Sequence, residues 1–328
     1  MTPRERALGT LLGLAIGDAL GMPTQTLTRA AILAAGGVEG MRAAAPDHPL
    51  AAGLPAGSVT DDTEQALLLA DVLLEGGGHA DPRLLAERLA AWEDDMRRRG
   101  SLDLLGPSTR AAVQAVLAGT PPERSGRGGT TNGAAMRIAP VGILMPPDDL
   151  GALVDRVAET CLVSHDTGVA IAGAAAVAAA VSAGVAGADA DDAADLAARA
   201  ARLGASRGGE PRGTEVADRI ERAIRLGATT PEAVLPDRIA AELGTSLATA
   251  ESVPAAFAVL ARFPDDPWRA CRAAAALGGD TDTIAAMAGA MGGARTGPAG
   301  FPTDVAATVV ARNRLELSSL ADRLLALR

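Results

Sequence analysis

The segment from 168 to 188, GVAIAGAAAVAAAVSAGVAGA, runs for 21 positions without a charged residue. A helix of that length could in principle cross a bilayer. Most of its side chains are Ala and Gly, however, which contribute little transfer free energy, and no Trp, Tyr, Lys or Arg anchors flank it. Small side chains instead let neighbouring helices approach from every side. The run reads as a central helix packed among other helices, with no membrane partner, in a cytoplasmic protein.

The rest of the chain supports that reading. Residues 3–20 begin with Pro at a first-turn position and continue with Leu and Ala at helical spacing. A second helix is expected from Thr60–Asp61–Asp62 until Gly76–Gly77–Gly78 stops it. Further helices are expected at 82–98, 107–118, 148–162, 167–184, 190–203, 214–226, 231–243, 251–262, 266–277, 282–293 and 303–325. No succession of alternating β-branched runs occurs, so a sheet is not expected. The Gly-rich stretch 204–213 reads as an exposed loop, but neither flank has an independent core. The expected architecture is all-α: a single domain of about a dozen helices over residues 1–328.

Two of these helices open unusually. Thr60, Asp61, Asp62 and Thr63 precede one apolar helix, and Asp280, Thr281, Asp282 and Thr283 precede another. Asp and Thr are good N-caps because their oxygens accept orphan backbone N–H groups. One cap needs one such residue, and each helix has four. If the two starts meet in space, their carboxylates repel unless cations or several donors compensate. Mg²⁺ and Mn²⁺ take oxygen ligands of this kind, and a Thr hydroxyl adds a ligand without adding charge. Three His and two Cys in the whole chain argue against a zinc site. Cys161 and Cys271 sit in apolar helical contexts and read as buried hydrophobes. The net charge of −10 argues against a nucleic-acid surface.

Seven ordered segments carry a resemblance. They are GLAIGDALGMPTQ (13–25), GSVTDDTEQALLLAD (57–71), LDLLGPST (102–109), GTTNGAAMRIAPVG (129–142), SHDTGVAIAGAA (164–175), ESVPAAFAVL (251–260) and ALGGDTDTIAAMAGAMGGARTG (276–297). Together they resemble the ADP-ribosylglycohydrolase family, which includes the dinitrogenase-reductase-activating glycohydrolases. The resemblance implies an all-α, orthogonally packed domain whose acidic motifs hold two Mg²⁺ or Mn²⁺ ions. Carried over by position, the ligands are Thr60, Asp61, Asp62, Asp280, Asp282 and Thr283. It also implies cleavage at the anomeric carbon of a ribose, whose cis hydroxyls suit a pair of adjacent cations. Asp61 or Asp62 would combine ligand and base duties, Asp103 would orient the sugar, and His165 would lie near the substrate.

Other positions keep two readings. Gly129, Asn132 and Gly133 either let the backbone approach a phosphate or ribose, or form a helix-start turn with Asn132 as its cap. Asp103 is otherwise a solvent-facing carboxylate. His48 and His79 lie in loop contexts and are expected to face solvent. Two features depart from the family. Gln25 stands where many members carry a glutamate, and an amide can bind but cannot act as a base. Tyr is absent and aromatic residues make up 2% of the chain, so few rings are available to stack an adenine.

The expected activity is therefore metal-dependent hydrolysis of a ribosyl glycosidic bond. The substrate would be an ADP-ribosylated protein or a small ADP-ribosyl conjugate. A hydrolase of a small N-riboside is the alternative, and a non-catalytic protein binding metal or ADP-ribose is a reading from another class.

Overall fold

The first helix, α1 (Pro3–Gly21), is set by its own start. Thr2 accepts from the Glu5 N–H at 3.2 Å, the Glu5 carboxylate accepts from the Thr2 N–H at 2.7 Å, and Pro3 occupies the first turn. The computed structural model describes residues 1–102 and 104–328. Among these every regular element is a helix, and the only β-type pairings are two isolated bridges, Thr131 with Ala248 and Thr167 with Gly209.

Four further helices position the site: α2 (Asp61–Glu75), α3 (Pro107–Leu117), α4 (Gly168–Ala186) and α5 (Thr281–Thr296). Every residue of α4 from Gly168 to Val185 is buried. Its neighbours include α1, α5 and the helices Ala139–Leu144, Leu150–Cys161, Ala190–Gly204 and Thr249–Arg262. Each methyl removed from water there contributes on the order of 0.8 kcal/mol. Two segments, Pro3–Thr24 and Gly168–Ala186, are long and apolar enough to cross a membrane, and each is 94% buried inside the protein. The expected central helix is thus the one observed.

The closest packing joins α1 to α5. A Cβ added to Gly13 would lie 2.1 Å from the Gly289 carbonyl oxygen, and one on Gly17 would lie 2.0 Å from that of Ala285. Both distances are far inside van der Waals contact, so the two backbones touch along this stripe. The contact runs on to Gly21 against Asp282, which brings the C-terminal end of α1 to the mouth of α5.

Two expectations need correction. The helix expected over 303–325 is two, Thr303–Asn313 and Leu317–Leu325, because Arg314 takes a left-handed φ of 53° and ends the first. Short helices at Arg29–Ala34, Pro122–Ser125, Gly133–Met136 and Ala139–Leu144 were not expected; they are too brief to show a period. The 204–213 stretch is a largely exposed loop, as expected, and it is tied to the start of α4. The carbonyls of Gly209 and Pro211 accept the first N–H groups of α4, from Gly168 and Val169, at 2.9 and 3.1 Å. Cys161 and Cys271 are buried thiols, as expected.

Candidate active site

The starts of α2 and α5 face each other. The Thr283 hydroxyl donates to Asp62 Oδ2 at 3.3 Å. Burial first, and then the charges of Asp282, Asp61, Asp18 and Asp280, push the Asp62 carboxyl well above the usual carboxylate range. Neither helix uses its acidic start to cap itself: Thr60 and Asp280 hold the cap positions, and neither makes a side-chain capping bond. The two clusters therefore converge on one another, which simple capping does not require.

The missing cap on α2 is supplied from α1. Asp18 is fully buried and accepts the Thr60 N–H and hydroxyl at 3.0 and 2.6 Å, and the Thr63 N–H at 3.1 Å. The Thr63 hydroxyl donates to the same carboxylate. Burial raises the Asp18 carboxyl to about 6 despite these bonds. Sequence reasoning missed Asp18; the signal was a single carboxylate within the apolar run GLAIGDALG. Thr60 thus gives its hydroxyl proton to Asp18 and lies behind the cluster, buried.

Asp61, Asp280, Asp282 and Thr283 line an open cleft of about 230 Å³. Gln25, Asn132 and Gly133 also line it, and so do Thr131, Thr109 and Arg110, which sequence reasoning did not single out. Asn132 occupies the cap position of the Gly133–Met136 helix but caps nothing: its amide donates to Asp280 Oδ2 and to Ser252 Oγ. Burial raises the Asp280 carboxyl, opposed by bonds from Asn132 and Thr283. Asp103 lies outside the described residues.

A second network backs the cleft. Thr131 Oγ1 lies 3.0 Å from His165 Nε2, and His165 Nδ1 lies 2.8 Å from Ser164 Oγ. Ser164 Oγ accepts from Arg137, which also donates to Gln65 Oε1, and Gln65 Nε2 donates to Asp61 Oδ2. His165 is fully buried; burial, with Arg137 nearby, holds it well below the ordinary imidazole range, so the ring is neutral. Ser164 already accepts from a guanidinium, so its proton goes to Nδ1 and His165 donates from Nε2 to Thr131. Burial lowers Arg137 to about 10, which leaves it cationic at neutral pH.

Two glycines make room for this network. A Cβ on Gly129 would sit 2.0 Å from the Ser164 carbonyl, and one on Gly133 would sit 3.0 Å from the His165 ring. Gly129 is buried against that loop and does not line the cleft, whereas Gly133 does both. His48, expected in solvent, is buried: its Nδ1 accepts the N–H groups of Leu50 and Ala51, and its Nε2 reaches the Gln25 carbonyl at 3.0 Å. His79 remains largely exposed beside Glu159.

The donor set fits hard divalent cations. Asp62 Oδ1 is buried with no hydrogen-bond partner, and among the described residues no ion pair joins Asp62 or Asp280 to a basic side chain. The converging groups are all oxygen donors, the kind Mg²⁺ and Mn²⁺ select. Among the described residues no three carboxyl or imidazole groups are already drawn round one point, so the fit rests on this chemistry and on the orphaned oxygen.

Comparison with known proteins agrees with the fold. The ADP-ribosylglycohydrolase family profile matches residues 1–328. Protein YegU of Escherichia coli K12 is 33% identical over 326 residues, covering 98% of this chain and 96% of its own. The ADP-ribosyl-[dinitrogen reductase] glycohydrolase of Rhodospirillum rubrum is 32% identical over 152 residues, 44% of this chain and 47% of that protein. A solved structure described as an ADP-ribosylglycohydrolase-related protein complex matches with a TM-score of 0.70 at 26% identity, over 99% of this chain and 98% of that one. A match over the whole length, on a fold in which the two acidic helix starts meet, means that the chain belongs to the ADP-ribosylglycohydrolase family, hydrolases of ADP-ribosyl bonds.

Proposed function

We infer that this protein is a dinuclear Mg²⁺- or Mn²⁺-dependent hydrolase that removes ADP-ribose from a modified protein or a small ADP-ribosyl conjugate. The observation that carries the reading is Asp62: buried, with one oxygen unpartnered, and surrounded by the carboxylates of both helix starts. Asp61, Asp62, Asp280, Asp282 and Thr283 would hold the ions; Thr60 would contribute only through the lone pairs left beside its bond to Asp18. When bound, the ions would neutralise the cluster, fix the ribose diol and lower the pKa of a water. Asp61 lines the cleft and is oriented by Gln65, which suits it to take a proton from the attacking water. Thr131 receives a hydrogen bond from His165, so its own hydroxyl proton can be turned toward the substrate. Relatives named for ADP-ribosyl-dinitrogen reductase and ADP-ribosylarginine hydrolysis support a protein-linked substrate.

The test pairs calorimetry with turnover. Two equivalents of Mn²⁺ should bind, and the loaded enzyme should release ADP-ribose from a panel of ADP-ribosylated peptides. Asp62→Asn and Asp282→Asn variants that bind Mn²⁺ as the parent does would end the proposal. One observation favours a second reading, hydrolysis of a small N-riboside: no aromatic side chain lines the cleft among the described residues, so nothing there stacks an adenine. Release of free ribose or ribose phosphate from nucleosides or nucleotides, without release of ADP-ribose, would select it.

A further inference from the structure

We propose that Arg137 is a positioning residue that sets the direction of the hydrogen bonds reaching the cleft at Asp61 and at Thr131. The proposal rests on the reading above for what those two residues do there.

Arg137 is 1% exposed and heads the fully buried side chains in size among the described residues. Its two side-chain acceptors, Gln65 Oε1 at 3.2 Å and Ser164 Oγ, are both neutral. Burial disfavours its charge, while Cys161 and Asp61 favour it, and Asp61 is joined to it through Gln65. Taking a guanidinium out of water costs several kcal/mol, and a well-packed apolar side chain would fill the same space more cheaply. Packing alone does not call for an arginine here.

What an arginine adds is direction, because its nitrogens donate and cannot accept. Gln65 must turn Oε1 to Arg137, which leaves Nε2 to donate to Asp61 Oδ2 at 2.9 Å. Gln65 and Asp61 stand one turn apart on α2, on the same helix face. On the other arm, Ser164 accepts from Arg137 and so donates to His165 Nδ1 at 2.8 Å. His165 Nε2 then donates to Thr131 at 3.0 Å. Every proton on both arms points away from the guanidinium and toward the cleft, which Asp61 and Thr131 both line. Asp61 is thereby held as an acceptor, suited to a cation. Thr131 already accepts a bond and keeps its own proton for an acceptor on the substrate.

The arms end on backbone that is fixed by other means. The Asn132 N–H donates to the Leu247 carbonyl at 2.9 Å, and the Thr249 hydroxyl donates to the Thr131 carbonyl at 2.8 Å. At the other end Asp18 holds the mouth of α2 through Thr60 and Thr63. Removing the guanidinium therefore frees side-chain directions without releasing either segment.

The experiment reads each arm separately and needs no turnover. Calorimetry with Mn²⁺ reports the Asp61 arm, and nitrogen NMR of the His165 ring reports the Thr131 arm through its tautomer. Arg137→Met should weaken Mn²⁺ binding about tenfold, the value of one hydrogen bond to a charged group. It should also turn the Nε2–H form of His165 into a mixture of tautomers. Gln65→Met should weaken Mn²⁺ binding to a similar extent and leave the tautomer as in the parent. Ser164→Ala should mix the tautomers and leave Mn²⁺ binding unchanged. Thermal melts establish that each variant is folded, and the two single-arm variants keep the test alive if Arg137→Met is not. Parent-like Mn²⁺ affinity and tautomer in folded Arg137→Met would overturn the inference. So would single-arm variants that each disturb both readouts, the pattern of general loosening, or that disturb neither. A parent enzyme that shows the arm-specific pattern yet releases no ADP-ribose would end the hydrolase reading and leave this inference standing.

Discussion

Asp18 Oδ1 accepts both the N–H and the hydroxyl of Thr60, at 3.0 and 2.6 Å, and so a carboxylate on one helix caps another whose cap residue lies 42 residues later. The cap that Thr60 would ordinarily supply is displaced, and Asp62 is turned toward α5. Replacing Asp18 by Asn keeps the shape but sets an amide N–H against the Thr60 and Thr63 donors. The variant should lose about 2–4 kcal/mol of stability by denaturant unfolding. Its Mn²⁺ affinity should fall as well, because the mouth of α2 is no longer held. Unchanged affinity in a folded variant would mean that Asp18 is a structural cap only.

The buried carboxyls set the pH dependence of the metal-free protein. Burial raises Asp18 to about 6 and also raises Asp62 and Asp280. The folded state therefore holds more protons than the unfolded state between about pH 4 and pH 6 or above, so stability falls as pH rises through that window. Metal-stripped protein should melt at a lower temperature at pH 8 than at pH 5. Saturating Mn²⁺ should raise the melting point more at pH 8 than at pH 5, since the ions bind the ionised carboxylates. A melting point that climbs with pH in chelator would contradict this account.

Gly17 of α1 meets the Ala285 carbonyl so closely that a methyl would stand 2.0 Å from that oxygen. Gly17→Ala should therefore force α1 and α5 apart and cost about 3 kcal/mol or more, read from the shift in urea midpoint. A Cβ on Gly40 would meet nothing within 4 Å, so Gly40→Ala is the matched control and should change stability little.

His165 should not titrate between pH 5 and pH 8, because burial and Arg137 keep the ring neutral. Its imidazole NMR signals should stay in the neutral form, with the proton on Nε2, across that range. A titration near the free-histidine value would break the chain that runs from Thr131 through Ser164 to Arg137. His165→Gln should retain the fold yet lower kcat/KM about tenfold by releasing the Thr131 hydroxyl.

Much of this was legible in the linear chain because it follows from local physics. Small, uncharged residues over 168–188 imply a helix surrounded by others, and helical spacing located most of the remaining elements. The doubled acidic starts announced more carboxylates than two caps could use. What local signals miss is partnership at long range. Nothing near Asp18 indicates that it serves Thr60 and Thr63. His48 looked like a loop residue and is buried under Gln25. Gly129 and Gly133 looked like a ligand cradle, and nothing near them in the chain indicates that they also make room for the 164–165 loop. Arg314 shows no break in its neighbours' pattern, but the chain turns there.

Residue type and spacing thus determined the helices and the surplus of hard oxygen donors, since both depend on neighbours within a few turns. The contact between α1 and α5, closed by glycines about 280 residues apart, decided that the donors meet. Only in three dimensions does one carboxylate raise another's pKa, leave Asp62 Oδ1 without a partner, and set a neutral Gln25 beside the acidic cluster.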